Sequence, residues 1–407
     1  MFFNTLIFIL TFVHVFSNTY FTFAETYLYP LKFILFIFIF VLVLFSKILV
    51  GRKTIRLSKS TVNISFFFST WIIAILISLS RTRYPLSGLL IAVSYILLFL
   101  ASFVLLPNFV VRENAWLRYQ SALFWCILIS IVISILLGLG KLESFYIVGD
   151  RIRYRSFFTN PNSLGGFSTL GFMTSIVIST ARKKKIYLFP VPFYLILIYL
   201  SKSRASLLWV AVFLVTLFYL KVKNKTEKFL SKIFILFSLS LIIIVLVYAI
   251  NYFHFMDKSY VDELSSYRLS LWLEGMNNKS NYELFFGQGL GSESFSSMSY
   301  DNYYVNILVQ TGLLGLFTFL SFIFAVSYYF YKKLNHISSN EIAIVFFAMF
   351  IGLIVYSFFE SVLFSLGNLI SIYIWMNVGC LMGAVDYQKR VPHVPVVAKI
   401  TNSSRVM

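Results

Sequence analysis

Residues 31–50 read LKFILFIFIFVLVLFSKILV. Apart from Lys32 and Lys47 the stretch carries no charge, and its length is that of a helix crossing a bilayer, about 20 residues. It is apolar on nearly every side, so no water-facing stripe can be drawn on it as a helix. Runs of the same kind recur at 4–22, 62–80, 86–106, 119–139, 164–181, 186–201, 205–221, 233–251, 303–330, 342–358 and 363–384. The first has the length of a signal peptide but lacks a basic leading region and a small-residue cleavage site, so it counts as an uncleaved span.

Composition agrees with this reading. Of 407 residues, 59% are hydrophobic and only 12% charged, against about 25% charged in soluble domains. Too little charge exists to build a water-facing surface or to keep a chain disordered. The expected fold is an all-α polytopic integral membrane protein of about 12 transmembrane helices. One membrane domain covers residues 1–384, followed by a cytoplasmic tail at 385–407.

The net charge of +19 would suggest nucleic acid in a soluble protein, yet here it sorts by side. With the N-terminus inside, the inner segments hold 21 of the 34 basic residues and four acidic ones (Glu113, Glu227, Glu341, Asp386). The outer side is nearly balanced. Cytoplasmic loops collect Lys and Arg, so the alternation predicts N-in, C-in topology and removes any need for a nucleic-acid partner. Two cysteines, Cys126 and Cys380, and four scattered histidines, His14, His254, His336 and His393, show no metal-ligand spacing. No cofactor is expected.

Two outer loops are long, 140–163 and 252–302, the second between spans nine and ten. Unneeded connections are usually short. The second loop holds seven of the fifteen acidic residues, and its SYVDELSSYRLSLWLEGM (259–276) has the spacing of an amphipathic surface helix. No internal repeat is visible, which counts against a transporter.

Several outer basic residues stand against the positive-inside bias: Arg151, Arg153 and Arg155 in GDRIRYRS, Lys202 and Arg204 in LSKSRAS, and Arg268 in SSYRLSLW. The guanidinium fork grips phosphate through two hydrogen bonds. Snorkelling to headgroups explains a single one equally well. Three separate regions supplying arginine to one side favour an anionic ligand.

In FTNPNSLGG (158–166), Asn-Pro-Asn signals a turn, and Ser163 or Asn162 is placed to cap the sixth span. The Gly165-Gly166 pair allows close backbone approach at a helix start, where anions bind. GQGLGS (287–292) follows no strand and opens no βαβ unit, so it reads as a flexible outer loop, not a nucleotide site. In SYDNYYVNILVQTGLLGLF (299–317), Asp301 either caps the tenth span or acts as a general base, and Gly312-x-x-Gly315 suits close helix packing. Glu360, at the outer end of the eleventh span, either pairs with an arginine or orients a substrate.

The ordered motifs RSFFTNPNSLGGF, LSKSRASLL, YRLSLWLEGM with FGQGLGSES, and DNYYVNILVQTGLLGLF, then the Glu360 span, resemble the O-antigen ligase and Wzy-type polymerase superfamily of membrane glycosyltransferases over roughly residues 150–384. The resemblance implies metal-independent transfer of polyprenyl-diphosphate-linked sugars. In the ligases a His precedes Asn, nine residues and Gly-x-x-Gly. Asn302, nine residues and Gly312-Leu-Leu-Gly315 fit that pattern, but Asp301 stands in the His position, a departure that suits a polymerase better.

By this resemblance Arg204 and Arg268 contact diphosphate and Asp301 is the base, together forming the catalytic set. Arg151, Arg153, Arg155, Asn160, Asn162, Lys202, Asn302 and Glu360 form the substrate-binding set. The expected activity joins lipid-linked repeat units into O-antigen, capsule or exopolysaccharide at the outer face of a bacterial inner (plasma) membrane. Partners are then the polyprenyl-diphosphate-linked oligosaccharide, the lipid bilayer, a chain-length regulator and a flippase. A ligase with another acceptor, or a lipid-linked oligosaccharide flippase, is the competing reading. A flippase needs charges along a path through the membrane, whereas here they gather at one face.

Overall fold

In the computed structural model the described residues are 2–19, 24–45, 57–80, 82–107, 115–138, 141–148, 151–225, 268–276, 280–291, 300–334 and 341–390. Helices dominate: α1 Phe2–Phe16, α2 Tyr29–Phe45, α3 Lys59–Leu79, α4 Pro85–Phe99, α5 Ala115–Gly138, α6 Pro161–Arg182, α7 Val191–Ser201 and α8 Arg204–Lys225. They continue with α9 Arg268–Met276, α10 Asn281–Phe286, α11 Tyr303–Leu334, α12 Glu341–Tyr356 and α13 Leu369–Arg390. Wider π-helical turns lead into α2 at Ala24–Leu28 and extend α4 through Leu100–Leu105. Among the described residues six helices are long and apolar enough to cross a membrane, and four shorter apolar ones accompany them. The chain is a multi-pass membrane protein.

The sequence-based spans coincide with these helices, with four corrections. The first helix stops at Phe16, where Ser17, Asn18 and Thr19 turn the chain through side-chain and backbone bonds to His14, Val13 and Phe16. The seventh span is broken at Phe189–Pro190 into a 3-10 turn, Lys185–Leu188, and α7, because prolines at 190 and 192 cannot donate to a continuous ladder. The loop at 140–163 contains a two-stranded antiparallel hairpin, β1 Phe145–Val148 and β2 Arg151–Tyr154, so the architecture is helical with one small β element. The last helix starts at Leu369, not at 363. The ninth span, 233–251, lies outside the described residues, as does the 259–267 part of the surface helix; its C-terminal part is α9.

The late start of α13 has a physical cause. Residues 357–368, SFFESVLFSLGN, form no helix, yet Ser357, Val362, Leu363, Phe364 and Leu366 are buried. Buried irregular backbone is tolerated only where protein groups satisfy it, and here they do. The Leu363 carbonyl accepts from Ser371 Oγ and Trp375 Nε1, and the Phe364 carbonyl from the Tyr303 hydroxyl at 2.9 Å. The Ser365 amide donates to Ser371 Oγ, and His14 Nε2 lies 3.4 Å from the Leu366 carbonyl. Phe364 then enters an aromatic core with Phe68, Trp71, Tyr95, Phe322 and Trp375, drawn from α3, α4, α11 and α13.

Helices touch most closely where small residues let backbones approach, as membrane bundles do. A side chain at Gly379 on α13 would run into the Ser102 carbonyl of the π-helical turn, and one at Gly352 on α12 into Trp209 of α8. The second of these crossings sets α8 against α12, two of the helices whose ends carry the site.

Candidate functional site

The N-terminus of α6 shows how local chemistry places the first group. Asn160, extended, accepts the Ser163 amide at 2.7 Å through Oδ1, and Pro161 occupies the first helical position, where a missing N–H costs nothing. Asn160 is therefore the cap, in place of Ser163 or Asn162. Asn162 is left to accept Arg153 Nη2 at 2.7 Å, while Arg153 Nε donates to the Ser201 carbonyl at 3.0 Å. One guanidinium thus ties β2 to the start of α6 and the end of α7.

The Gly165-Gly166 pair does what its small size suggested. A Cβ on Gly165 would sit 2.7–2.9 Å from Ser203 Cβ, Ser206 Oγ and Ser201 Oγ, and one on Gly166 would lie 3.0 Å from the Tyr356 hydroxyl. The turn between α7 and α8 therefore packs directly on α6. Lys202 closes α7 in the left-handed region, at φ 49°, and is exposed. Ser203 and Ser206 share a hydrogen bond at 2.9 Å over the first turn of α8, which opens with the exposed Arg204.

On the other side, α9 presents Arg268 to the loop ends. Trp272 Nε1 donates to the Tyr300 carbonyl at 2.7 Å, which sets α9 against the turn before α11. Asn302 caps α11: its Oδ1 accepts the Tyr304 and Val305 amides at 2.9 and 3.1 Å. Asp301 pairs with Arg268 instead. It takes a left-handed backbone, φ 45°, which aims its carboxylate at Arg268, 3.2 Å from Nη2. The Tyr303 amide bonds the Ser357 carbonyl at 2.9 Å and Asn306 Nδ2 bonds Ser361 Oγ at 2.7 Å, so the buried 357–368 loop is pinned to the same helix start. That brings Glu360 Oε1 to 3.6 Å from Arg268 Nη2, while Arg268 Nη1 donates to the Phe359 carbonyl at 2.9 Å.

Arg268 therefore faces two carboxylates with its side chain 17% exposed, against 45% for Asp301 and 16% for Glu360. Burial, then the Asp301 charge, pushes the Glu360 carboxyl up to about 8, against the pull of Arg268 and Arg153. Arg153 lies within electrostatic range of Arg204, Arg268 and Glu360; burial first, then those two cations, hold its guanidinium below the ordinary arginine value. Four of the sequence-predicted residues, Arg153, Arg204, Arg268 and Glu360, thus share one field with Asp301. The starts of α6, α8 and α11 lie in the same cluster, and each adds the positive end of a helix dipole.

The remaining candidates divide. Arg155 donates to the Glu143 and Thr159 carbonyls at 2.8 and 3.1 Å, and holds the foot of the hairpin. The side chain of Arg151 lies outside the described residues. Asn160 and Asn302 spend their amide oxygens on helix caps. Tyr356, buried at the end of α12 between Gly166 and Ser206, belongs to the cluster's floor; no sequence pattern separates it from ordinary core aromatics. Among the described residues no group of His, Cys, Asp and Glu is placed to hold a metal ion.

The GQGLG turn is not a free loop. Gly312 breaks the ladder of α11 with φ 67° and ψ −171°. The freed Val309 and Gln310 carbonyls accept the Gln288 and Gly289 amides, each at 3.0 Å. Gly287, Gly289, Leu290 and Gly291 are buried, and the Leu290 carbonyl accepts from Thr82 Oγ1 at 3.1 Å. The segment wedges the broken helix against the turn between α3 and α4. Gly312 thus serves a helix break rather than helix-on-helix packing.

A comparison with curated proteins finds no match. Residues 191–320, which span α7 to the first half of α11 and hold Arg204, Arg268 and Asp301, match the family model described as O-antigen ligase, and the resemblance to the O-antigen ligase and Wzy-type superfamily is thereby shown over that segment.

Proposed function

We propose that the chain polymerises lipid-linked oligosaccharide repeat units. The family match supports a membrane enzyme of the O-antigen ligase and polymerase kind. The observation that carries the finer reading is Arg268 held between Asp301 and Glu360, in one field with Arg153 and Arg204.

In this reading Arg204 and Arg268, with Arg153 beside them, grip the diphosphate of a polyprenyl-linked glycan. Guanidinium groups and helix N-termini aimed at an oxyanion stabilise charge that grows as the leaving group departs. Asp301, the more exposed carboxylate, accepts the proton of the acceptor sugar hydroxyl. The acceptor oxygen bonds to the anomeric carbon, the carbon–phosphate oxygen bond breaks, and the electron pair leaves on polyprenyl diphosphate. Direct displacement inverts the anomeric centre. The cationic end faces outward in the N-in, C-in topology, so the donor and the newly delivered acceptor meet at the outer face of a bacterial plasma membrane, with a flippase and a chain-length regulator as partners.

The second reading is a ligase, favoured by the family description itself; the Asp301-for-His exchange weighs on the polymerase side. Purified protein given a polyprenyl-diphosphate oligosaccharide is expected to produce a ladder. Transfer of one unit to a different acceptor identifies a ligase instead. Full-length polymer from Arg204→Ala and Arg268→Ala variants at wild-type expression would refute the site.

A further inference from the structure

The hairpin has two unlike faces. Its register pairs Phe145 with Tyr154, Tyr146 with Arg153, and Ile147 with Ile152. Side chains of directly paired residues share a face and successive residues alternate. One face is therefore Phe145, Ile147, Ile152 and Tyr154, and the other carries Tyr146 and Arg153. On the second face Arg153 bonds Ser201 and Asn162, while Tyr146 beside it stays exposed. On the first, Ile147 is 65% and Ile152 54% exposed with Phe145 exposed beside them, while Tyr154, edge-on to Phe145, is half-buried against the core.

A two-stranded ribbon with two open isoleucines is poorly suited to water. What lies next to it indicates the occupant. Ser201, to which Arg153 is bonded, directly follows Tyr199 and Leu200. With Leu195 and Ile196, these make the outward apolar surface of α7, where Tyr199 is 74% exposed. A tyrosine at the end of an apolar helix marks the headgroup level of a bilayer. The Arg153–Ser201 bond ties the hairpin to that end of α7, which sets its exposed isoleucines near the same level.

We propose that the hairpin's Phe145–Ile147–Ile152–Tyr154 face rests in the headgroup–acyl boundary of the bilayer, so that Arg153 on its other face meets a diphosphate lipid arriving sideways from the membrane. The lipid contact stands on the geometry alone. The delivery role rests on the diphosphate site proposed above.

The test uses the full-length protein in vesicles of phosphatidylethanolamine and phosphatidylglycerol. Because Cys126 and Cys380 are buried, spin labels attach selectively at Ile147→Cys, Ile152→Cys and, as a water-facing comparator, Lys141→Cys. Labels at 147 and 152 are expected to collide more with oxygen than with a water-soluble nickel complex, and the label at 141 the reverse. Labels at 147 and 152 that match position 141 overturn the proposal, whether the face is then bare or reserved for another protein.

For delivery, the Ile147→Asp/Ile152→Asp variant is expected to bind undecaprenyl diphosphate in those vesicles roughly tenfold more weakly. Its affinity for inorganic pyrophosphate in detergent should be unchanged. Equal loss of both ligands, or of neither, overturns delivery. Failure of the wild type to bind pyrophosphate would instead refute the arginine site, while leaving the spin-label result to judge the hairpin.

Discussion

Glu360→Gln separates the buried carboxyl of the cluster from its neighbours with almost no change in shape. Folding raises the Glu360 pKa from 4.5 to about 8. Between those values the folded protein keeps a proton that the unfolded chain has released, so stability from this group is full below about pH 4.5 and is lost as pH rises through 8. At 1.36 kcal/mol per unit, the interval amounts to at most about 5 kcal/mol. Solvent reaching the 16% of the side chain that is exposed lowers it, and a loss of about 2–4 kcal/mol is expected. Thermal unfolding of detergent-purified protein from pH 5 to 9 measures it. The wild-type Tm should fall across the range more steeply than that of Glu360→Gln, while Glu341→Gln, at an exposed position, follows the wild type. Parallel wild-type and Glu360→Gln curves would refute the reasoning. The same proton sets the charge of the site. Below pH 8 three guanidinium groups face Asp301 alone, so pyrophosphate binding should weaken above pH 8 in the wild type by more than in Glu360→Gln.

Arg268→Ala removes the cation between two carboxylates and is expected to lower kcat by roughly 10²–10³-fold in a ladder assay; Arg268→Lys keeps the charge but not the fork and should recover only part of it. Gly312→Ala forces a side chain into a nearly glycine-only backbone region and against the Phe285 carbonyl, undocking two hydrogen bonds, so stability should fall by about 2–4 kcal/mol. Gly315→Ala, whose obstacle is the movable Thr311 side chain, should cost less in the same melting experiment. Arg155→Ala, which removes bonds to the Glu143 and Thr159 carbonyls and the contact over the Tyr146 ring, should lower Tm while leaving pyrophosphate affinity within about twofold of wild type.

The spans were legible because a bilayer demands about 20 apolar residues in a row, and no soluble element imitates that. The caps were half legible. Asn-Pro-Asn announced the start of α6, but which asparagine caps depends on where the chain is extended, and that is Asn160. Asp301 and Asn302 divide two tasks that composition cannot apportion, since either side chain can accept an amide; the left-handed turn at Asp301 decides it. The 357–368 loop was hidden for another reason. FFESVLFSLGNLI has the hydropathy of a helix, and hydropathy reports burial rather than backbone shape. The GQGLG turn was misread because glycine signals conformational freedom, and here that freedom is used to fit backbone into backbone.

The site is assembled from segments far apart in sequence, and the reason lies in the fold's polarity. Helices that start at one end of the bundle put their unsatisfied amides and positive dipole ends there together. Three such starts, at Pro161, Arg204 and Tyr303, already favour an anion before any arginine is counted. Adding Arg153, Arg204 and Arg268 to that end makes it strongly cationic, and Asp301, joined by Glu360 only as pH rises past about 8, offsets that charge. Arg268 is shared between them, one exposed and one buried. In the proposed reaction an arriving diphosphate would compete with Asp301 for the Arg268 guanidinium, while the Phe359 carbonyl and Glu360 stay behind Arg268 and keep the fork oriented. On the function proposed above, the cluster would couple diphosphate binding to release of the proposed base, which a lone aspartate and a lone arginine could not do.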